Sequence, residues 1–283
     1  MVRKFLLFAL VFALINVEPL KVQDSETKFF EKFVAELRQE NLQDMPFGEL
    51  VCHIGKKFLG FPYLAGSLEK GKDEQCVVTF AGFDCVTFFE VTLALARITK
   101  TGRTEFADLL REVQRSRYRE GKVIDYASRL HYSADWIWDN IAKGMVRDRT
   151  KELGGVPIRF DVNYMSANPD LYSGLKNQPE QIEKINQVEQ EISERTYYYI
   201  PTANVSKIES KLKSGDIIFF VLDSSGLDYS HVGICCVEGA ETRLLHSSSK
   251  AGKVVLDKKI SEYCKAHKKI KGITVLEPLM GGR

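Results

Sequence analysis

Ser230-His-Val-Gly-Ile-Cys-Cys-Val237 is an apolar run opened by a histidine, and Arg243-Leu-Leu-His-Ser-Ser248 returns after a turn around Glu238-Gly239. Apolar runs of this length bounded by turn residues read as strands, so the two predict an antiparallel hairpin. If Glu238 and Gly239 form a two-residue loop, His231 and His246 stand directly opposite each other. A four-residue loop at 238–241 still leaves both histidines on one face, whereas an odd-numbered loop separates them. Further short runs at 217–222, 254–256 and 273–276 supply additional strands.

Upstream of Tyr197 the periodicity is helical. Phe29, Phe30, Phe33, Val34 and Leu37 share one face over residues 26–40. Phe47, Leu50, Val51, Ile54 and Phe58 do so over 46–59, with Pro46 near the start and Gly60 just past the end. A turn-rich segment, Gly60-Phe-Pro-Tyr-Leu-Ala-Gly66, precedes a third helix that begins at Asp84. Residues 104–119, 133–143 and 180–195 complete the helices, and 154–179 read as loop. Helices first and an antiparallel sheet last make an α+β chain.

The 283 residues, 44% hydrophobic and 28% charged, suffice for a substantial core. A net charge of +2 argues against nucleic acid as a partner, which would require a concentrated basic face. The basic stretch Lys265 to Lys271 reads as solvated surface. Met1-Val-Arg-Lys followed by the apolar run Phe5 to Ile15 matches an export signal and is too short to span a bilayer. The expected layout is a signal over 1–20 and a single exported domain over 21–283, with a periplasmic or envelope location and no stable membrane span. Six cysteines do not form an evident disulfide framework. Cys235 and Cys236, adjacent in one strand, point to opposite faces. A zinc site from Cys235, Cys236, His246, Cys264 and His267 fits no usual ligand spacing, so no metal and no cofactor is expected.

Gly82-Phe-Asp-Cys-Val-Thr-Phe-Phe-Glu90 places Asp84 as an N-cap and Cys85 as the first helical residue. Free N–H groups and the helix dipole at that position favour a thiolate. By itself the segment suits a buried structural cysteine equally well. Together with two histidines on one hairpin face, it supplies a nucleophile, a base (His231) and an orienting group (His246).

At this point the chain resembles the NlpC-type cell-wall cysteine hydrolases. Gly60-Phe-Pro-Tyr63 through Gly66, Phe83-Asp-Cys85, Ser214-Gly-Asp-Ile-Ile-Phe-Phe220, His231-Val-Gly-Ile234 and Leu245-His-Ser247 occur in the family's order. The resemblance covers about 50–98 and 210–276. It implies a papain-like fold, catalysis by Cys85, His231 and His246, and a substrate or oxyanion role for Tyr63. Two departures stand out: Val86-Thr87 replaces the usual Ser-Gly, and the histidine arrives much later in the chain. With Ser128-Arg-Leu-His-Tyr132 and Asp135-Trp136, these features resemble a specialised N-acetylmuramoyl-L-alanine amidase branch. That branch cuts muramic acid from L-alanine, preferentially in anhydro-muropeptides.

On this reading a helical insertion over about 100–210 forms a wall that selects the sugar, with Arg129, His131 and Tyr132 contacting substrate. Trp136 and Trp138 are expected in the core, while Asn163-Tyr-Met-Ser166 and Tyr197 to Tyr199 are further groove candidates. Rival readings are a stem-peptide endopeptidase, a non-catalytic wall-binding module and an acyltransferase of related fold.

Overall fold

The computed structural model describes residues 24–69 and 73–281, so the expected signal at 1–20 lies outside the described residues. Helix α1 (Asp24–Gln39) buries Phe30, Phe33, Val34 and Leu37. Helix α2 (Phe47–Lys56) buries Leu50, Val51 and Ile54. Helix α3 (Cys85–Thr101) is buried almost all round from Thr87 to Ile98, as befits a helix enclosed in the core. It starts at the Asp84 N-cap and stops at Gly102, which adopts the left-handed conformation. Helices α4 (Phe106–Arg117) and α5 (Ser133–Ala142) follow.

Strands β1 (Val146–Asp148) and β2 (Val156–Ile158), the short α6 (Tyr164–Ala167), α7 (Pro179–Glu194) and β3 (Tyr197–Pro201) come next. The chain then forms α8 (Thr202–Ile208), β4 (Ile217–Leu222), β5 (Tyr229–Glu238), β6 (Glu241–Ser248), β7 (Lys253–Lys259), α9 (Ile260–Ala266) and β8 (Ile270–Pro278). The sheet runs β2-β3-β8-β4-β5-β6-β7, with β1 also paired to β8, and all these pairings are antiparallel. This mixed architecture of helices and antiparallel sheet is the expected α+β class.

One expectation needs correction. The insertion is mixed rather than purely helical, because β1, β2 and β3 come from it and extend the sheet beyond β8. Helices also cover both faces of the sheet. Ile217, Phe219 and Val221 of β4 face the core containing α1 to α5, while Ile218 and Phe220 face a second core. Val205 and Ile208 of α8 and Ile260, Tyr263 and Cys264 of α9 close that second core. Burial on both faces explains the unbroken apolar run of β4.

Cys52 of α2 and Cys236 of β5 form a disulfide, and Cys76, Cys85, Cys235 and Cys264 remain free thiols. The bond ties a helix to the sheet across the first core. It takes Cys236 from the zinc set considered above. Among the described residues no group of three or more His, Cys, Asp or Glu side chains could hold a metal ion. No helix among them is long and apolar enough to cross a membrane.

Candidate active site

Cys85 is held by a reciprocal capping box. Asp84 Oδ1 accepts the Thr87 N–H at 2.7 Å, and Thr87 Oγ1 accepts the Asp84 N–H at 3.0 Å. Thr87 thus has a structural reason to be there, fixing the turn that presents the sulfur. The preceding backbone is clamped as well. Phe83 O accepts from Leu64 N–H at 3.0 Å and from Ser247 Oγ at 2.6 Å, and Phe83 N–H donates to Pro62 O at 3.0 Å. A Cβ at position 82 would lie 2.6 Å from Pro62 O, so glycine is required for this close approach.

Cys85 is partly exposed, whereas the other three free thiols are buried. Burial around the sulfur pushes the thiol up to about 12, and the neighbouring Asp84 charge adds to the rise. The N–H groups of Val232, Cys85 and Val86 act in the opposite direction without reversing it. Burial therefore outweighs these N–H groups, and the thiol at this helix start is held in its protonated form. His231 is pushed down to about 3, by burial first and then by His246 and His267, so it rests as a neutral imidazole.

The hairpin turns at Gly239-Ala240, with Glu238 opposite Glu241 and Ile234 opposite Leu245. This is the register expected for the longer loop, and it leaves His231 and His246 diagonal on one face. Their rings meet edge to face, with His231 Nε2 and His246 Nδ1 2.6 Å apart. A Cβ at Gly233 would lie 3.0 Å from His246 Cβ and 2.7 Å from Leu244 Cδ1. The glycine two residues after His231 therefore makes room for the second histidine strand. His246 Nε2 faces Asp257 Oδ2 of β7 at 3.5 Å.

A cavity of about 260 Å³ gathers Cys85 and His231 with Val86, Glu69, Tyr126, His131, Tyr132, Met165, Tyr172 and Asp228. A larger space of about 500 Å³ around Pro46, Lys213 and Glu277 contains neither cysteine nor histidine and lies away from this chemistry. Tyr63 is outside the cavity lining but beside Cys85. Burial first, then the Cys85 and Asp84 charges, hold its phenol above the ordinary range.

The insertion residues separate into lining and support. His131 lines the cavity, donates through Nε2 to Tyr126 O at 2.8 Å and is kept neutral by burial. Tyr132 also lines it, with its hydroxyl bonded to Glu189 at 2.7 Å. Arg129 is not placed to meet substrate: it is 5% exposed and occupied by Leu68 O at 3.1 Å and Glu69 at 2.6 Å. It is a strut, and its partner Glu69 forms the wall. Trp136 is buried as expected and donates to Glu90 at 3.0 Å. Trp138, expected in the core, is 48% exposed and carries the Arg195 guanidinium over its ring.

Met165 brings the 163–166 segment to the cavity, while Tyr197 to Tyr199 form β3 and do not line it. Sequence reasoning missed Asp257, Glu69, Tyr126 and Asp228. Only Asp257 had a usable signal, as the lone carboxylate of a strand beside His246.

A family model described as AmiA-like, N-acetylmuramoyl-L-alanine amidase-like, matches residues 53–273. The chain belongs to this amidase-like family. The match spans Cys85, His231, His246 and Asp257. Among solved structures the amidase-like chain is similar to an N-acetylmuramoyl-L-alanine amidase from Bacteroides uniformis ATCC 8492. The identity is 35% and the TM-score 0.77, over 82% of this chain and 99% of that one. It is also similar to a putative xylanase from Bacteroides fragilis, at 36% identity and TM-score 0.74, over 80% and 99% of the two chains. A Legionella pneumophila protein at 22% identity and TM-score 0.68, over 90% and 95%, shares the fold. No curated protein matches the chain.

Proposed function

We propose that the protein is an exported, papain-like cysteine amidohydrolase of peptidoglycan fragments, cleaving between N-acetylmuramic acid and L-alanine and preferring the anhydro sugar. The observation that carries this reading is one cavity holding Cys85 at a capped helix start together with His231, whose far nitrogen is bonded to His246 at 2.6 Å. Cys85 is the nucleophile and His231 the base. Because both rest neutral, the thiol proton passes to His231 Nδ1 as the sulfur attacks the lactyl carbonyl. The Cys85 N–H, aided by the Tyr63 hydroxyl, stabilises the oxyanion. His231 then returns the proton to the L-alanyl amine, leaving a thioester that water hydrolyses.

The insertion supports the bond choice. His131, Tyr132, Met165 and Tyr172 belong to it and line the cavity beside Cys85. They provide apolar and hydrogen-bonding surface for a neutral sugar.

The xylanase name of one neighbour suggests a glycosidase reading, which needs two available carboxyl groups. Asp228 and Glu69 line the cavity, but both oxygens of each are engaged. Asp228 accepts from the Ala134 and Tyr229 N–H groups, each at 2.7 Å. Glu69 accepts from Arg129 at 2.6 Å and Ser173 at 2.9 Å. This engagement favours amide over glycoside chemistry. Incubation with anhydro-muramyl tetrapeptide should release intact tetrapeptide, and xylo-oligosaccharide should remain whole. Retained turnover in Cys85→Ala would overturn the cysteine mechanism.

A further inference from the structure

The geometry points to Asp257 as the positioning residue that completes a Cys85–His231–His246–Asp257 relay. This inference rests on the cysteine mechanism proposed above. His246 is 1% exposed, and its Nε2 is buried without a hydrogen-bond partner unless Asp257 provides one. The 3.5 Å separation from Asp257 Oδ2 is longer than a tight bond, and such contacts shorten when substrate closes a site. The other carboxylate oxygen, Oδ1, is fixed by the Lys258 N–H at 2.7 Å, which aims Oδ2. Asp257 is 31% exposed and its carboxyl is held below the ordinary range. Burial opposes that fall, while the Lys258 N–H and His246 drive it.

An ionised carboxylate can only accept. It therefore selects the His246 tautomer with hydrogen on Nε2, because a lone pair there would face a negative charge. His246 Nδ1 must then accept, so the 2.6 Å contact is a donation from His231 Nε2–H. That leaves the His231 Nδ1 lone pair free for the Cys85 proton. Asp257 thus sets the protonation pattern of both rings without moving a proton itself. When His231 becomes an imidazolium, the new charge is compensated through His246. The groups facing His246 are His231, Asp257, the Tyr263 ring edge-on at 5.4 Å, and His267 behind Tyr263. Among these, Asp257 is the one carboxylate.

The test compares Asp257→Asn, Asp257→Ala and Asp257→Glu in the full chain. The amide of Asn can donate to His246 Nε2 and thereby reverse the tautomer. Expected for Asp257→Asn is a fall in kcat of about tenfold to a hundredfold with KM unchanged, milder than loss of a carboxylate bonded directly to the base. Asp257→Glu should recover part of it. Nitrogen-15 NMR of histidine-labelled protein should place the His246 proton on Nε2 in the native chain and move it in Asp257→Asn.

A native His246 proton on Nδ1 overturns the inference, as does Asp257→Asn activity within twofold of native. The activity result leaves the parent mechanism standing, and the mechanism itself fails if Cys85→Ala or His231→Ala remains active.

Discussion

Removal of the Cys52–Cys236 disulfide should cost much of the protein's stability. The paired residues are 184 positions apart. Closing so long a loop in the unfolded chain corresponds to about 5 kcal/mol in the chain-entropy model, against a measured range of about 2–4 kcal/mol for typical bonds. For a domain of this size each kcal/mol moves the melting temperature by about 2–4 °C. Adding reductant, or making Cys52→Ala with Cys236→Ala, should therefore lower Tm by roughly 5–20 °C. Cys236 is fully buried and Cys52 nearly so, which makes alanine the appropriate replacement: serine would add buried hydroxyls.

Alkylation of denatured, unreduced protein should label four thiols, whereas reduced protein should label all six. Six labels without reduction, or a Tm unmoved by reductant, would refute the tether. A formed bond also fits an oxidising compartment, independently of the N-terminal residues.

Three further outcomes follow. Cys85, the one partly exposed free thiol among the described residues, should react with iodoacetamide before Cys76, Cys235 and Cys264. With its thiol pushed up to about 12, the labelling rate should climb roughly tenfold per pH unit between pH 7 and 9, and a plateau below pH 8 would contradict burial control. His231→Ala should cost on the order of 10⁴ in kcat and His246→Ala clearly less, because one moves the proton and the other orients it. N-terminal sequencing from the native envelope should find a chain starting between about residues 16 and 25, and an intact Met1 in the cytoplasm would end the export proposal.

The parts of the fold visible in sequence are those with a long period. The apolar stripes of α1 and α2 run for at least two turns, and β4 is an uninterrupted apolar run with the expected limits. The elements missed are short. Seven residues in α8 or α9 and three in β1 or β2 are too few to display a face, and their formation depends on docking against a sheet already built. The hairpin shows why either even-numbered turn keeps the histidine pair on one face. Moving the turn from Glu238-Gly239 to Gly239-Ala240 shifts the pairing by two residues, which preserves the face.

Side-chain partners were less legible than side-chain positions. Arg129 invites a substrate role until Glu69 and Leu68 are found to occupy it, and those partners lie about 60 residues earlier in the chain. The same applies to Cys52 and Cys236, each unremarkable alone. Asp84 could be read as a cap from its type, but Thr87 as its reciprocal partner needed the structure to explain the departure from Ser-Gly.

The central proposal is that Cys85 attacks the muramoyl–L-alanine amide, and product mass tests it most directly. Anhydro-muramyl tetrapeptide and free tetrapeptide stem are incubated separately with native protein and with Cys85→Ala. Native protein should release intact tetrapeptide from the first and leave the second untouched, and Cys85→Ala should release nothing from either. An L-alanyl-D-glutamyl dipeptide released from the free stem would instead make the protein an endopeptidase, and product formation by Cys85→Ala would remove the nucleophile itself.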